Sequence, residues 1–302
     1  MKNYIVVGAN GFIGRSLICK LLSGGGKIVA IDVTFENSTL PQCDSIIRIV
    51  CNPNGIDELY NVIPHDDYVA FYNLAWRGVN GPEKAIVSVQ LDNIKVAAAY
   101  ADLAKKLKCG RFLCAGTIAE QSVQSLECLN KTSGGMMYGV AKHCAHLILE
   151  SYCKNIGLPF IWMQFSNIYG VGNKTGNLIS YTLTELLAGN NATFGPAEQP
   201  YDFIYIDDLI EAVVRLGNCK LCKTFYYIGS GAPRVLKDYL KEIGIICNKE
   251  NNICIGVRPD DGIKYDYFMF DITPLVQDIG NYVTVPFNEG VKHTISWLET
   301  QT

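Results

Sequence analysis

Tyr4-Ile5-Val6-Val7-Gly8-Ala9-Asn10-Gly11-Phe12-Ile13-Gly14 is the stretch that decides how this chain reads. A β-branched run stops at a glycine, and glycines follow at G-x-x-G-x-x-G spacing. An amphipathic pattern then opens through Phe12, Ile13, Leu17, Ile18, Leu21 and Leu22. A second strand-like run, Lys27 to Ile31, ends at Asp32, which completes strand, turn, helix, strand. Glycines at such a junction permit positive φ, close backbone approach to a pyrophosphate and tight helix-to-strand packing. The helix N-terminus adds free N–H donors and the positive end of its dipole. The turn residues Gly8, Asn10, Gly11, Phe12, Ile13 and Gly14 are therefore candidate cofactor contacts. A carboxylate at Asp32 accepts hydrogen bonds from an adenosine ribose and repels a 2′-phosphate. No Arg or Lys occurs between Val33 and Gln42 to offset that repulsion, so NAD is expected rather than NADP.

The alternation continues along the chain. Strands are expected at Ser45 to Val50, Tyr68 to Leu74, Arg111 to Ala115 and Pro159 to Phe165. Helices are expected at Ile56 to Val62, Glu83 to Lys108 and Met137 to Asn155. Continuous apolar strands alternating with helices predict an α/β fold: a Rossmann-type doubly wound parallel sheet covered on both faces. After Tyr169 the pattern loosens into Gly/Asn-rich loops, with helices at Leu178 to Ala188, Asp207 to Leu216 and Phe287 to Leu298. Strand-like pieces lie at Phe225 to Ile228 and Ile253 to Val257. The expected division is a cofactor domain over residues 1–170 and a smaller C-terminal α/β substrate-binding cap over 171–302, with about 200–230 returning to the main sheet.

Composition narrows the function. The 302 residues carry 26 Lys+Arg against 29 Asp+Glu, a net charge of −3, so a nucleic-acid or anionic-lipid partner is not expected. No stretch has the roughly 18 consecutive apolar residues of a membrane span, and the run Tyr4 to Val7 is too short for a secretory signal, so a cytoplasmic location is expected. The 12 cysteines are scattered, and in a reducing compartment Cys19, Cys109, Cys114, Cys144 and Cys153 would serve as small buried hydrophobes. Cys219 and Cys222 have C-x-x-C spacing without a second pair to complete a zinc site, and His143 and His146 lack an evident carboxylate partner, so no metal is expected.

Tyr138 and Lys142 stand four residues apart, hence on one face of an expected helix. A nearby ammonium, together with a positively charged nicotinamide, favours the phenolate and suits Tyr138 to proton transfer. With these residues on the page, the chain from Gly8 to about Asp208 resembles the extended short-chain dehydrogenase/reductases, the NAD-dependent nucleotide-sugar epimerase/dehydratase family. The resemblance rests on the glycine loop, Asp32, Asn73-Leu74-Ala75, Tyr138 with Lys142, Asn167-Ile168-Tyr169-Gly170, and Tyr201 to Asp208.

The resemblance implies that Tyr138 exchanges a proton with a sugar hydroxyl, that Lys142 holds the nicotinamide ribose, and that Thr117 is the hydroxyl partner at the end of the fifth strand. It also implies cofactor contacts at Leu74, Ala75 and Asn93, substrate contacts at Thr117, Asn167 and Arg258, and a homodimer through the helices of Glu83 to Lys108 and Met137 to Asn155. A solvated helix face is the other reading of Asn93. Several departures narrow the chemistry. Dehydratases of the family follow the hydroxyl residue with Asp-Glu, whereas Ile118-Ala119 stand here and Glu120 comes one step late, which disfavours elimination of water. Tyr201 stands where a phosphate-clamping Arg is usual, and Gln164 replaces an Arg of the sixth strand. The expected activity is NAD-dependent epimerisation of a nucleotide-linked sugar, at C4, through a transient keto intermediate. The alternatives are reduction of a nucleotide-linked 4-keto-sugar by NAD(P)H and a non-catalytic NAD-binding scaffold.

Overall fold

Strands Asn3–Val7 (β1), Lys27–Asp32 (β2), Ile46–Val50 (β3), Tyr68–Asn73 (β4), Phe112–Thr117 (β5) and Phe160–Phe165 (β6) build most of the main sheet. Helices Phe12–Ser23 (α1), Leu59–Val62 (α2), Val87–Lys106 (α3) and Gly134–Ile156 (α4) connect them. A computed structural model provides these coordinates and describes residues 1–123, 134–220, 223–260, 262 and 264–301. The chain continues through Asn167–Tyr169 (β7), Leu178–Leu187 (α5), Ala192–Thr193 (β8), Pro200–Tyr201 (β9), Phe203–Tyr205 (β10), Ile206–Asn218 (α6) and Phe225–Ile228 (β11). Arg234–Val235 (β12), Leu236–Ile246 (α7), Ile253–Cys254 (β13), Thr273–Ile279 (α8) and Phe287–Glu299 (α9) complete it.

The seven-stranded sheet has the order β11-β6-β5-β4-β1-β2-β3, with every neighbouring pair parallel. Strand order reverses between β1 and β4, and open α/β sheets bind ligands outside the strand ends at such a switch point. Residues of β1 divide between two cores. Tyr4 and Val6 pack on the α1 and α6 side, and Ile5 and Val7 on the α2, α3 and α4 side. All four are buried, which is why the run reads as continuously apolar. Each such buried aliphatic side chain contributes about 1.5–3 kcal/mol.

Three small pairs complete the strand pairing: β7 with β10, β9 with β12 and β8 with β13. β11 enters the main sheet beside β6, while β9 and β10 stay outside it, and α6 returns onto α1. Asp208, buried near the start of α6, ties the last segment down. Its Oδ1 accepts from Thr284 N (3.0 Å) and Thr284 Oγ1 (2.8 Å), and its Oδ2 accepts from Val285 N (3.0 Å).

Several elements differ from the sequence reading. The expected helix Ile56 to Val62 is a 3₁₀ turn over Pro53–Glu58 followed by the short α2, because Pro53 initiates a tight turn that Gly55 does not extend. Pro82–Ala85 likewise form a 3₁₀ turn, so α3 starts at Val87 instead of Glu83. The strand at Ile253 to Val257 shortens to β13, and α7 and α8 were not anticipated. Cys19 and Cys144 are exposed, whereas Cys109, Cys114 and Cys153 are buried as expected. Cys222 lies outside the described residues, so the C-x-x-C pair is not described. Among the described residues, no helix is long and apolar enough to cross a membrane.

Asp208→Ala strands two backbone N–H donors and one hydroxyl. The expected result is a loss of about 3 kcal/mol in stability, measured by urea unfolding, with the same fold by circular dichroism.

Candidate active site

The first turn of the chain forms a cradle. Gly8 has φ 78°, and a Cβ there would lie 2.9 Å from Ala75 N. A Cβ on Gly14 would lie 2.1 Å from Gly8 O, so α1 can approach the turn this closely only with glycine at that position. Gly8 N and Ala9 N both donate to Ile31 O, at 3.0 and 3.2 Å, which docks the turn on the end of β2. Gly11 caps α1 without a side-chain bond, leaving first-turn N–H groups open, and Phe12 and Ile13 pack half-buried against the core behind it.

Asp32 Oδ2 accepts from Asn10 N (2.8 Å) and Oδ1 from Val33 N (2.7 Å), which places the carboxylate at the rim of the turn. Asn10 Nδ2 donates to Thr34 O and Glu36 O, while its Oδ1 is buried without a hydrogen-bond partner. Leu74 and Ala75 follow β4 directly beside Gly8. Asn93 is buried in α3. Its Oδ1 accepts from Arg77 N (2.9 Å) and its Nδ2 donates to Arg77 O (2.8 Å), so it clamps the loop after β4 and does not sit on a solvated face. A glycine cradle that any Cβ would fill, an open helix N-terminus, an orphaned Asn10 oxygen and a rim carboxylate together fit a dinucleotide.

β5 and α4 bring the second group together. The Tyr138 hydroxyl is hydrogen-bonded to the Thr117 side chain. Lys142, one helical turn on, is buried and donates to Ala115 O at 2.6 Å. Its Nζ lies 3.8 Å from the ring centre of Trp76, and that ring meets Tyr138 edge-on at 6.4 Å. Trp76 thus walls the site, held by Nε1 donating to Gln90 Oε1 at 2.9 Å. Burial pushes the Tyr138 phenol well above its ordinary value, against the downward pull of the Thr117 hydrogen bond. Burial also lowers Lys142. The sequence suggested a phenol lowered by its lysine together with a bound nicotinamide; in the structure burial is the largest influence on Tyr138.

The residues after Thr117 behave differently from the dehydratase pattern. Ile118–Val123 form a 3₁₀ turn in which Ile118 packs with Tyr227, Tyr265 and Phe270. Glu120 turns inward and is completely buried. Its Oε1 accepts from Thr117 N (2.7 Å), and both oxygens lie within reach of Trp162 Nε1, at 3.2 and 3.0 Å. Gln164 Nε2 donates to Oε2 at 3.4 Å, so the glutamine that replaces the usual arginine of β6 is a partner of this carboxylate.

His146 is stacked on Trp162, with ring centres 4.9 Å apart, and its Nδ1 lies 3.8 Å from Glu120 Oε2. Ligand atoms of Glu120, His143 and His146 all lie within 4.8 Å of one another. The histidine pair therefore does have a carboxylate beside it, supplied by tertiary contact. The Glu120 oxygens, however, already hold the Thr117, Trp162 and Gln164 donors. The cue for Glu120 in sequence was a lone charge between a strand and a helix, one step past the expected acid/base pair.

The remaining candidates lie further out. Asn167 opens β7 and donates through Nδ2 to Asp202 O (3.1 Å). Arg258 donates through Nε to Thr193 Oγ1 (2.8 Å) and through Nη2 to the Tyr181 hydroxyl (2.7 Å). These contacts tie it to α5 and β8 and not to the Tyr138 group. Tyr201 packs on Phe203 and Tyr265 at 5.1 and 5.9 Å, an aromatic contact where the family clamp would place a charge.

A dinucleotide cradle at the switch point, with Tyr, Lys and Thr gathered beside it, defines an NAD-dependent enzyme of the short-chain dehydrogenase/reductase class. The chain belongs to the NAD dependent epimerase/dehydratase family, whose model matches residues 4–229. It is 24% identical to CDP-abequose synthase of Salmonella typhimurium over 87% of this chain and 92% of that one. It is 21% identical to dTDP-4-dehydro-6-deoxyglucose reductase of Escherichia coli over 96% of both chains. Its fold is similar to that of the dTDP-glucose 4,6-dehydratase of Bacillus anthracis in complex with NAD, with a TM-score of 0.83, 18% identity and coverage of 99% of this chain and 97% of that one. The UDP-glucose 4-epimerase of Thermotoga maritima with UDP-glucose gives a TM-score of 0.81 at 18% identity, covering 99% of each.

Tyr138→Phe removes the hydroxyl and keeps the ring against Trp76. Turnover is expected to fall by about 10²–10⁴-fold while NADH still binds by fluorescence titration, and more tightly than NADPH. Undiminished turnover in this variant, or tighter NADPH binding, contradicts the roles assigned to Tyr138 and Asp32.

Proposed function

We propose that the protein uses NADH to reduce a keto group, at C4, on a nucleotide-linked sugar. The observation that carries this reading is the grouping of Tyr138, hydrogen-bonded to Thr117, with the buried Lys142 in a site that has no Asp-Glu pair after Thr117. Such a site moves a hydride and a proton and has no side-chain pair for eliminating water. NADH held at the turn of Gly8, Gly11 and Gly14 with Asp32 would supply the hydride for this reduction. Thr117 and Tyr138 hydrogen-bond the carbonyl oxygen, Tyr138 gives it the proton as the alkoxide forms, and the resulting phenolate recovers a proton from solvent. Lys142 stabilises that phenolate through its positive charge.

Support for net reduction comes from the reductase that aligns along 96% of both chains. The substrate contacts proposed are Thr117, Asn167 and Arg258, the last reaching the nucleotide diphosphate once it exchanges its Tyr181 and Thr193 partners.

A second reading, epimerisation at C4 with NAD retained, is favoured by Asp32, since the carboxylate disfavours NADPH, and by the 21% identity over 98% of both chains to a putative UDP-glucose 4-epimerase of Methanocaldococcus jannaschii. We also propose a homodimer through α3 and α4, where Leu91, Leu147 and Ile148 are exposed on packed neighbouring helices.

Two measurements test these readings. Purified protein is incubated with a panel of nucleotide sugars and their 4-keto-6-deoxy forms while NADH absorbance and product stereochemistry are followed. Stoichiometric NADH consumption is expected, whereas isomer interconversion without net NADH change selects the epimerase. In sedimentation, the double variant Leu147→Glu with Ile148→Glu is expected to run as a monomer where the wild type runs as a dimer. A wild-type monomer contradicts the interface.

A further inference from the structure

The end of β5 is gripped by two opposite charges. Lys142 donates to Ala115 O at 2.6 Å, and Glu120 accepts from Thr117 N at 2.7 Å, two residues further along the same strand. Between them, Gly116 has no room for a side chain: a Cβ would lie 2.3 Å from Trp162 Nε1 and 2.7 Å from Glu120 Oε1. The Trp162 indole spans the pair, its Nε1 bonded to the carboxylate while its ring centre lies 5.9 Å from Lys142 Nζ. Both charged groups are buried, Glu120 completely and Lys142 at 3% exposure.

We infer that Glu120 is a positioning residue: its buried carboxylate fixes the Thr117 backbone and serves as the counter-charge that keeps Lys142 protonated beneath Tyr138. The inference rests on the reduction proposed above, in which a charged Lys142 stabilises the Tyr138 phenolate.

Charge accounting supports this assignment. A lone buried ammonium is costly, and the groups facing Lys142 are a carbonyl, two indole rings, the Cys114 thiol and Glu120. Glu120 is faced in turn by Lys142 and His146, with Cys114, His143 and Tyr138 close by. His146 is held neutral by burial, which lowers it to about 4, so it does not compete as a cation at neutral pH. Burial raises Glu120, against the downward pull of the Thr117 backbone hydrogen bond and then of the Lys142 charge, and burial lowers Lys142, against the upward pull of Cys114 and then of Glu120. Glu120 belongs to the 3₁₀ turn after β5 and Lys142 to α4, so the pair also fixes how the helix bearing Tyr138 sits against the strand bearing Thr117.

The test combines a double-mutant cycle with a pH profile. Urea unfolding is measured at pH 7 for wild type, Glu120→Gln, Lys142→Met and the double variant, and the pH dependence of NADH-driven keto-sugar reduction is measured for wild type and Glu120→Gln. Without the carboxylate the Lys142 ammonium loses its partner and discharges at lower pH. The alkaline limb of kcat in Glu120→Gln is therefore expected to move about one pH unit toward acid, with KM within about twofold of wild type. The unfolding midpoint is expected to drop more for Glu120→Gln in the Lys142 background than in the Lys142→Met background.

Additive midpoints, or an unmoved limb with kcat lowered evenly at all pH values, overturn the inference. If Glu120→Gln fails to fold and the double variant folds, that is the coupling in its extreme form; if neither folds, the hydrogen bonds rather than the pair hold the site and the inference fails. The unfolding cycle needs no substrate. A wild type inactive on every keto-sugar therefore sinks the reductase reading while the cycle still judges the pair.

Discussion

The approach of the first turn to the backbone after β4 is the constraint on which the rest of the structure depends. With 2.9 Å between Ala75 N and the place a Gly8 Cβ would occupy, the ends of β1 and β4 can converge only if that residue is glycine. The convergence sets the switch point of the sheet, aims the N-terminus of α1 outward and puts Asp32 and the Asn93-clamped loop on opposite sides of one crevice. A side chain at Gly8 or Gly14 would push strand and helix apart, and the cofactor cradle would be lost along with the packing between them.

One strand away, β5 ends in a second tight junction with a different physical basis. Its backbone is held from below by hydrogen bonds to buried charged groups, and only the absent side chain of Gly116 lets the carboxylate and indole sit so close. Backbone geometry shapes the first turn, whereas buried polarity shapes the candidate catalytic group, where burial is the largest influence on Tyr138.

Much of this was legible in the chain. The central sheet strands read correctly because both of their faces are covered, so their residues form apolar runs such as Tyr4 to Val7. Tyr138 and Lys142 were legible because helical periodicity places residues four apart on one face. α7 lies outside the helices expected from the sequence, although Leu236, Tyr239, Leu240 and Ile243 repeat at helical spacing and form its buried face. Arg258 illustrates the opposite case: an arginine in a suggestive local motif whose hydrogen bonds go to Tyr181 and Thr193, which no local pattern announces.

By itself, then, the sequence determined the βαβ core, the glycine turn with Asp32 at the end of the next strand, and the Tyr/Lys pair on one helix face. Each of these depends on residues close together in the chain. Tertiary structure alone decided that Glu120 turns inward beneath Thr117, that Gln164 and Trp162 satisfy it, that His146 stacks beside it and that Trp76 closes over Lys142. Apart from the hydrogen bond between Thr117 and Glu120, those contacts join residues on different elements, far apart in the chain. Their energies arise from burial, which a sequence does not reveal until the layers have packed.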